Sequence, residues 1–288
     1  MTLVNLRNTL VCIALLGTAL AGTYEYRTRD RVLPPTPLAT RYLVRVEEHA
    51  LWLDGIKICE LPPLQEQAKV GAGTACKVQG KESHLYLDRL GRVLPPLGQA
   101  GALHQAEVAL DPRTPYRVLL EVLFTLGQRG VQSETVIVPD GARGDRLTYS
   151  YVMPSYELGP SPTPRLVVIL KQAGTSLRLE AGTMFDTHVT SIGPGCAEGD
   201  GVTLPSSNPV DYGALVRCVL TLQGRVRART VPGGSLDYAE LIAAYDLPAL
   251  SILRVVSALS CGSETCLRTS LDAGPTLLSH VDFGVPKS

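Results

Sequence analysis

The chain has 288 residues, of which 45% are apolar and 19% charged, with 27 basic and 27 acidic side chains. That much apolar material excludes a disordered chain, and a formal net charge of zero provides no broad field to draw in nucleic acid or acidic lipid. At this length about two domains are expected.

The amino-terminal stretch Met1–Asn8 carries one cation, Arg7. It is followed by an uncharged run, Thr9–Leu20, and by Ala19-Leu20-Ala21, a small-x-small site before Gly22. This is the three-part layout of a secretory signal peptide. The run is short against the roughly 20 residues that a spanning helix needs. Residues 1–21 therefore read as a signal peptide or a short N-terminal anchor, and residues 22–40, which end in VLPPTP, as a proline-rich spacer.

A first module is expected over residues 41–140. Tyr42–Glu47 and Leu51–Ile58 alternate apolar and polar residues and predict a hairpin around Glu48-His49. Cys59–Lys81 reads as an irregular insertion, with Pro62-Pro63, Gly71 and Gly73. A weak helix is expected over Leu85–Leu94, and a strand over Glu107–Leu110. Pro115 suits a first helical turn. From there Tyr116, Leu119, Leu120, Leu123 and Leu126 share one helical face, Gly130 stops the helix, and Thr135–Val138 is a further strand.

Residues 141–164 read as a linker, with an edge strand possible at Leu147–Met153. A second module is expected over 165–288. Leu166–Leu170 and Ser176–Glu180 predict a hairpin, Gly193–Pro209 an insertion, and Asp211 a cap for a helix over Tyr212–Leu222. Arg225, Arg227 and Arg229 alternate with apolar residues, as on the solvated face of a strand. A helix led by Tyr238 is expected to carry Leu241, Ile242 and Tyr245 and to end at Pro248. Leu253–Leu259 and the VDFGVP tail read as strands.

The Tyr238 segment (ARTVPGGSLDYAELIAAYDLPAL) repeats the pattern of the Tyr116 segment (AEVALDPRTPYRVLLEVLFTLGQRG): a strand-like run, a polar turn, then a tyrosine opening a helix. The expected fold is therefore α+β, with two tandem small modules, each a mixed β-sheet with two helices on one face.

Chemistry is sparse. His49, His84, His104, His188 and His280 form no HExxH or HxH pair, no GxSxG elbow is present, and Gly71-Ala72-Gly73 lacks the third glycine of a dinucleotide loop. The carboxylate pairings Asp186 with Asp211 and Asp237 with Glu240 are weak, and Asp282-Phe283-Gly284 matches a kinase triplet by letters alone. No catalytic residue, metal ligand or cofactor site is expected, so the chain reads as a non-enzyme. Removal of a signal peptide would take away Cys12 and leave Cys59, Cys76, Cys196, Cys218, Cys261 and Cys266 as structural disulfide candidates. Six cysteines allow fifteen connectivities. Proximity in sequence favours Cys59–Cys76, Cys196–Cys218 and Cys261–Cys266.

The run EVALDPRTPYRVLLEVLFTLGQRGV resembles the periplasmic domain of the ExbD/TolR family, through Val108, Asp111, Pro115, Tyr116, Val118 and Gly130. In the second half, GPGC, PVDYGALVRC, the Tyr238 segment and a closing FGVP are similar to an ExbD-like variant. The resemblance implies a periplasmic or otherwise exported location in a bacterial envelope, anchored in the inner membrane if residues 1–21 are retained. It implies ExbB/TolQ-like or TonB/TolA-like partners, or peptidoglycan, and a homodimer or an intrachain pseudo-dimer. The family's transmembrane aspartate has no counterpart, since Thr9–Ala21 holds no ionisable residue. The expected role is accessory to biopolymer transport or Ton/Tol-type energy coupling. The alternative is an exported binding or scaffold protein unrelated to energy-coupled transport.

Overall fold

Alternation of apolar and polar side chains over residues 40–60 builds an antiparallel meander of β1 (Thr40–Glu47), β2 (Ala50–Leu53) and β3 (Ile56–Glu60). The expected single strand Leu51–Ile58 is two strands. Asp54 and Gly55 both take positive φ (50° and 82°), as a tight Asp-Gly hairpin turn requires. The computed structural model describes residues 40–78, 84–94, 104–141, 145–152, 165–170, 178–183, 186–191, 212–229, 238–263, 266, 277–278 and 280–286. The expected signal peptide or anchor, the spacer and the Gly193–Pro209 insertion lie outside these residues.

After the meander come α1 (Leu64–Val70), α2 (Asp88–Val93), β4 (His104–Leu110), α3 (Tyr116–Gln128), β5 (Ser133–Pro139) and β6 (Arg146–Val152). The expected linker 141–164 thus contains a strand, β6, paired antiparallel with β5. The first sheet is mixed, in the order β3-β2-β1-β4-β5-β6, with β1, β4 and β5 parallel. Its inner face is built in cross-strand rows. Tyr42, Ala106, Glu134 and Tyr151 form one row, and Val44, Val108, Val136 and Tyr149 the next. Gly130 closes α3 in the left-handed region (φ 78°), where the amides of Gly130 and Val131 return to the carbonyls of Gly127 and Leu126.

The second sheet comprises β7 (Arg165–Leu170), β8 (Arg178–Thr183), β9 (Asp186–Ser191), β10 (Tyr238–Ala243) and β11 (His280–Gly284), in the order β11-β10-β7-β8-β9. Its helices are α4 (Tyr212–Arg229) and α5 (Ala249–Cys261). The architecture is α+β. Helix α5 packs against α4 on one side and across β5 and β6 of the first sheet on the other. Buried residues of both sheets join one hydrophobic cluster.

Several further expectations fail. Tyr238 opens a strand, not a helix. Ala239, Leu241 and Ala243 point inward with period 2, and β10 pairs in parallel with both β7 and β11. Leu241, Ile242 and Tyr245 also fit a helical face, and short apolar runs carry that ambiguity. Leu253–Leu259 lies inside α5, so Pro248 precedes a helix instead of ending one. Arg225, Arg227 and Arg229 belong to α4 and not to a strand. Residues 41–140 also hold three helices where two were expected.

The internal match is accordingly β4–turn–α3 with β10–turn–α5, in which Tyr116 corresponds to Ala249. The two turns meet. Both helices have proline at the N-cap, Pro115 and Pro248, and neither has a side-chain cap. Each first turn instead donates to the other's loop. Tyr116 N reaches Leu247 O (2.8 Å) and Arg117 N reaches Tyr245 O (3.1 Å), while Ala249 N reaches Thr114 O (2.8 Å) and Leu250 N reaches Pro112 O (3.1 Å). Four amides left over by helix geometry are thereby satisfied.

Two tyrosines extend this seam. Tyr116, fully buried, directs its hydroxyl at the carbonyls of Leu241 (3.0 Å) and Gly284 (2.9 Å). Tyr149 donates to Val281 O (2.8 Å) and accepts from Val281 N (2.9 Å), so its hydroxyl occupies the outer edge of β11. Tyr116→Phe leaves both carbonyls without that donor and is expected to cost about 1–3 kcal/mol. Urea unfolding of the variant against wild type measures the loss.

Candidate functional site

The polar side chains that the fold gathers lie around the seam. Beside it is an open cleft of about 560 Å³, lined by Leu64, Gln65, Ala68 and Lys69 of α1, by Arg113 and Pro115, and by Tyr245 and Asp246 of the opposing turn. Arg117 packs on the Tyr245 ring that lines it. Its guanidinium lies 5.3 Å from the centre of the Tyr245 ring, a cation–π distance, and donates to Lys69 O and to Glu121 Oε1. Arg113 on the rim bonds Glu48 Oε2 (2.7 Å) and Asp111 Oδ1 (3.2 Å). Burial pushes the Asp111 carboxyl up, but the side-chain and backbone hydrogen bonds and the charge of Arg113 outweigh it and hold the group below its ordinary value. The rim therefore mixes charges of both signs over an aromatic floor.

Beneath the cleft is a closed ionic cluster. Lys77 Nζ and Glu121 Oε1 are 2.6 Å apart with both side chains inaccessible. The other Glu121 oxygen accepts from Ala72 N at 2.7 Å. Burial pushes the Glu121 carboxyl up, and Lys77, Ala72 N and Arg117 pull in the opposite direction. Gly71 (φ 67°) permits this approach, because a Cβ there would sit 1.9 Å from Glu121 Oε1. The Gly71-Ala72-Gly73 turn thus wraps an internal carboxylate. The local signal for Glu121 is a single acid on a largely apolar helix, with a Gly-Ala-Gly turn and a lysine upstream.

Of the cysteine candidates, Cys59 and Cys76 are bridged (Cα–Cα 5.3 Å), which ties the end of β3 to the turn that holds Glu121. Cys261, the last residue of α5, is bridged to Cys266. Cys196 and the Cys218 side chain lie outside the described residues, as do Asp211 and Asp237 of the weak carboxylate pairings. Among the described residues no group of three or more His, Cys, Asp or Glu could hold a metal ion, and no helix is long and apolar enough to cross a membrane.

His280 is partly buried among aromatic rings. Its ring stacks between Tyr151 (centroids 6.0 Å) and Tyr238 (5.7 Å), and Nε2 lies 2.8 Å from Asp282 Oδ1. Asp282 also accepts from the Tyr238 hydroxyl. Phe283 contacts Tyr116, Tyr149 and Tyr151. The Asp282-Phe283-Gly284 triplet is therefore structural, and it fastens β11 to β6, β10 and α3. His104 stacks on Tyr42 (6.0 Å), His49 lies 3.8 Å from Glu48, and His188 is on β9.

No protein-family model matches the chain, and no curated protein matches it. Among solved structures, the Aquifex aeolicus PPX-GPPA enzyme aligns over 70% of this chain and 67% of its own, at 14% identity and a TM-score of 0.17. At that TM-score the likeness carries no argument about fold or function.

Two outcomes follow from the cluster. Lys77→Met leaves Glu121 under-compensated in the interior and is expected to cost about 3–5 kcal/mol, whereas Lys77→Met combined with Glu121→Met recovers most of it. Denaturant titration of the single and double variants checks this. Opening the Cys59–Cys76 bridge, which spans 17 residues, removes a loop constraint. The paired Cys59→Ala/Cys76→Ala variant is expected to lose about 3 kcal/mol in the same assay.

Proposed function

We propose that this chain is a non-enzymatic, ExbD/TolR-like envelope protein that acts through protein–protein contacts, accessory to biopolymer transport or Ton/Tol-type energy coupling. The observation that carries the reading is the reciprocal joint between the Pro115 and Pro248 turns. Asp111, Pro115 and Tyr116, which carry the resemblance, lie at that joint. The packing of the second strand–turn–helix unit against the first, turn to turn, supports an intrachain pseudo-dimer. The cleft beside the joint supports the same reading, because an aromatic floor with a rim of mixed charge suits an extended protein segment better than a single small anion. The uncharged Thr9–Ala21 run supports an accessory role over a proton-carrying one.

The test is cross-linking of the tagged full-length chain in its native envelope, followed by identification of the captured proteins. An ExbB/TolQ-like or TonB/TolA-like partner is expected, with capture weakened by Arg113→Glu. Capture of unrelated envelope proteins alone favours the scaffold reading. Mass in solution is expected to be that of a monomer, since the joint is already filled within one chain.

A further inference from the structure

Glu134 on β5 is fully buried, and among the described residues neither carboxyl oxygen has a hydrogen-bond partner. Its cross-strand neighbours are Ala106, which offers no polar atom from its side chain, and Tyr151. Tyr151 is one of the side chains through which β6 meets β11. Phe283 lies 5.5 Å from it and His280 6.0 Å, centre to centre. Glu134 therefore sits under the contact by which β11 meets β6.

The groups around it are committed elsewhere. From β1 and β4 come Tyr42 and His104, stacked on each other. From β6 come Tyr149, bonded to Val281, and Tyr151. From β11 come His280 and Asp282, bonded together, and from β10 Tyr238, bonded to Asp282, and Glu240. The one charged side chain of α5, Arg254, bonds Asp140 at 2.8 Å. From α3, Glu121 is held by Lys77 and Arg117, and Tyr116 is bonded to main-chain carbonyls. None of these donates a hydrogen bond to Glu134, so an ionised carboxylate there would be buried without a compensating partner.

We propose that Glu134 is a proton-operated latch: its neutral carboxyl lets the second sheet stay docked on Tyr151, and loss of its proton loosens the β6–β11 contact. Burial pushes this carboxyl well above its ordinary value. The folded chain consequently holds the proton more tightly than the unfolded chain does. The stability linked to this group is fully present below the unfolded value of about 4.3 and is lost as pH rises toward the folded one.

Urea unfolding of wild type and Glu134→Gln between pH 4 and 9, with hydrogen exchange of β6 and β11 corrected for intrinsic rate, tests the latch. The expected result is that the wild-type unfolding constant rises against that of the variant by up to about tenfold per pH unit over that window. Exchange in β6 and β11 is expected to accelerate with pH in the wild type alone. Parallel pH profiles for the two proteins overturn the proposal. If Glu134→Gln does not fold, carbon-13 titration of the wild-type glutamate carboxyls decides. A glutamate still protonated at neutral pH supports the latch, and ionisation of every glutamate by pH 6 overturns it.

Discussion

The structure depends on one exchange of hydrogen bonds. A helix that begins at proline has no hydroxyl or carboxylate of its own to receive its first amides. Here two such helices meet at their starts, and each takes its acceptors from the loop before the other. Separating the two turns would strand four amides at once. Because the exchange is main chain to main chain, it constrains backbone position more than residue type. Tyr116 in one unit and Ala249 in the other serve equally well as donors.

The seam sets the remaining layout. It brings Tyr116 under β10 and β11, so a buried hydroxyl finds two carbonyls. It lays α5, which follows the second unit's turn, across β5 and β6 of the first sheet. It sets Tyr245 beneath Arg117, which joins the second unit to the buried Lys77–Glu121 pair. The Cys59–Cys76 bridge then fixes the turn that closes over Glu121. The cleft is the groove left between α1 and the two interlocked turns, and its shape follows from the joint.

Several elements were legible in the chain. The alternation in Tyr42–Glu47, the apolar face from Tyr116 to Leu126 and the stop at Gly130 each follow from a local period or a backbone preference. The Tyr238 segment was not legible. Tyr-Ala-Glu-Leu-Ile-Ala fits both a strand and a helix, and pairing with β7 and β11 resolves it, through partners far away in sequence. Pro248 was ambiguous for a related reason, since a proline can follow one helix or precede another. The roles of Glu121, Glu134 and His280 were not legible, because nothing near them in sequence reveals what they face.

The sequence by itself determined what depends on neighbours a few residues apart: the α+β character, the Tyr116 helix with its stop at Gly130, and the scarcity of catalytic spacing. Tertiary structure alone decided which strand–turn–helix matches which, that the two turns cap one another, and that Glu121 is enclosed with Lys77 while Glu134 is enclosed without a donor. The physical reason is one of range. Helix and strand preferences act within a turn or two of chain, whereas the cost of an unsatisfied amide or a buried carboxyl is set by whatever distant segment packs against it.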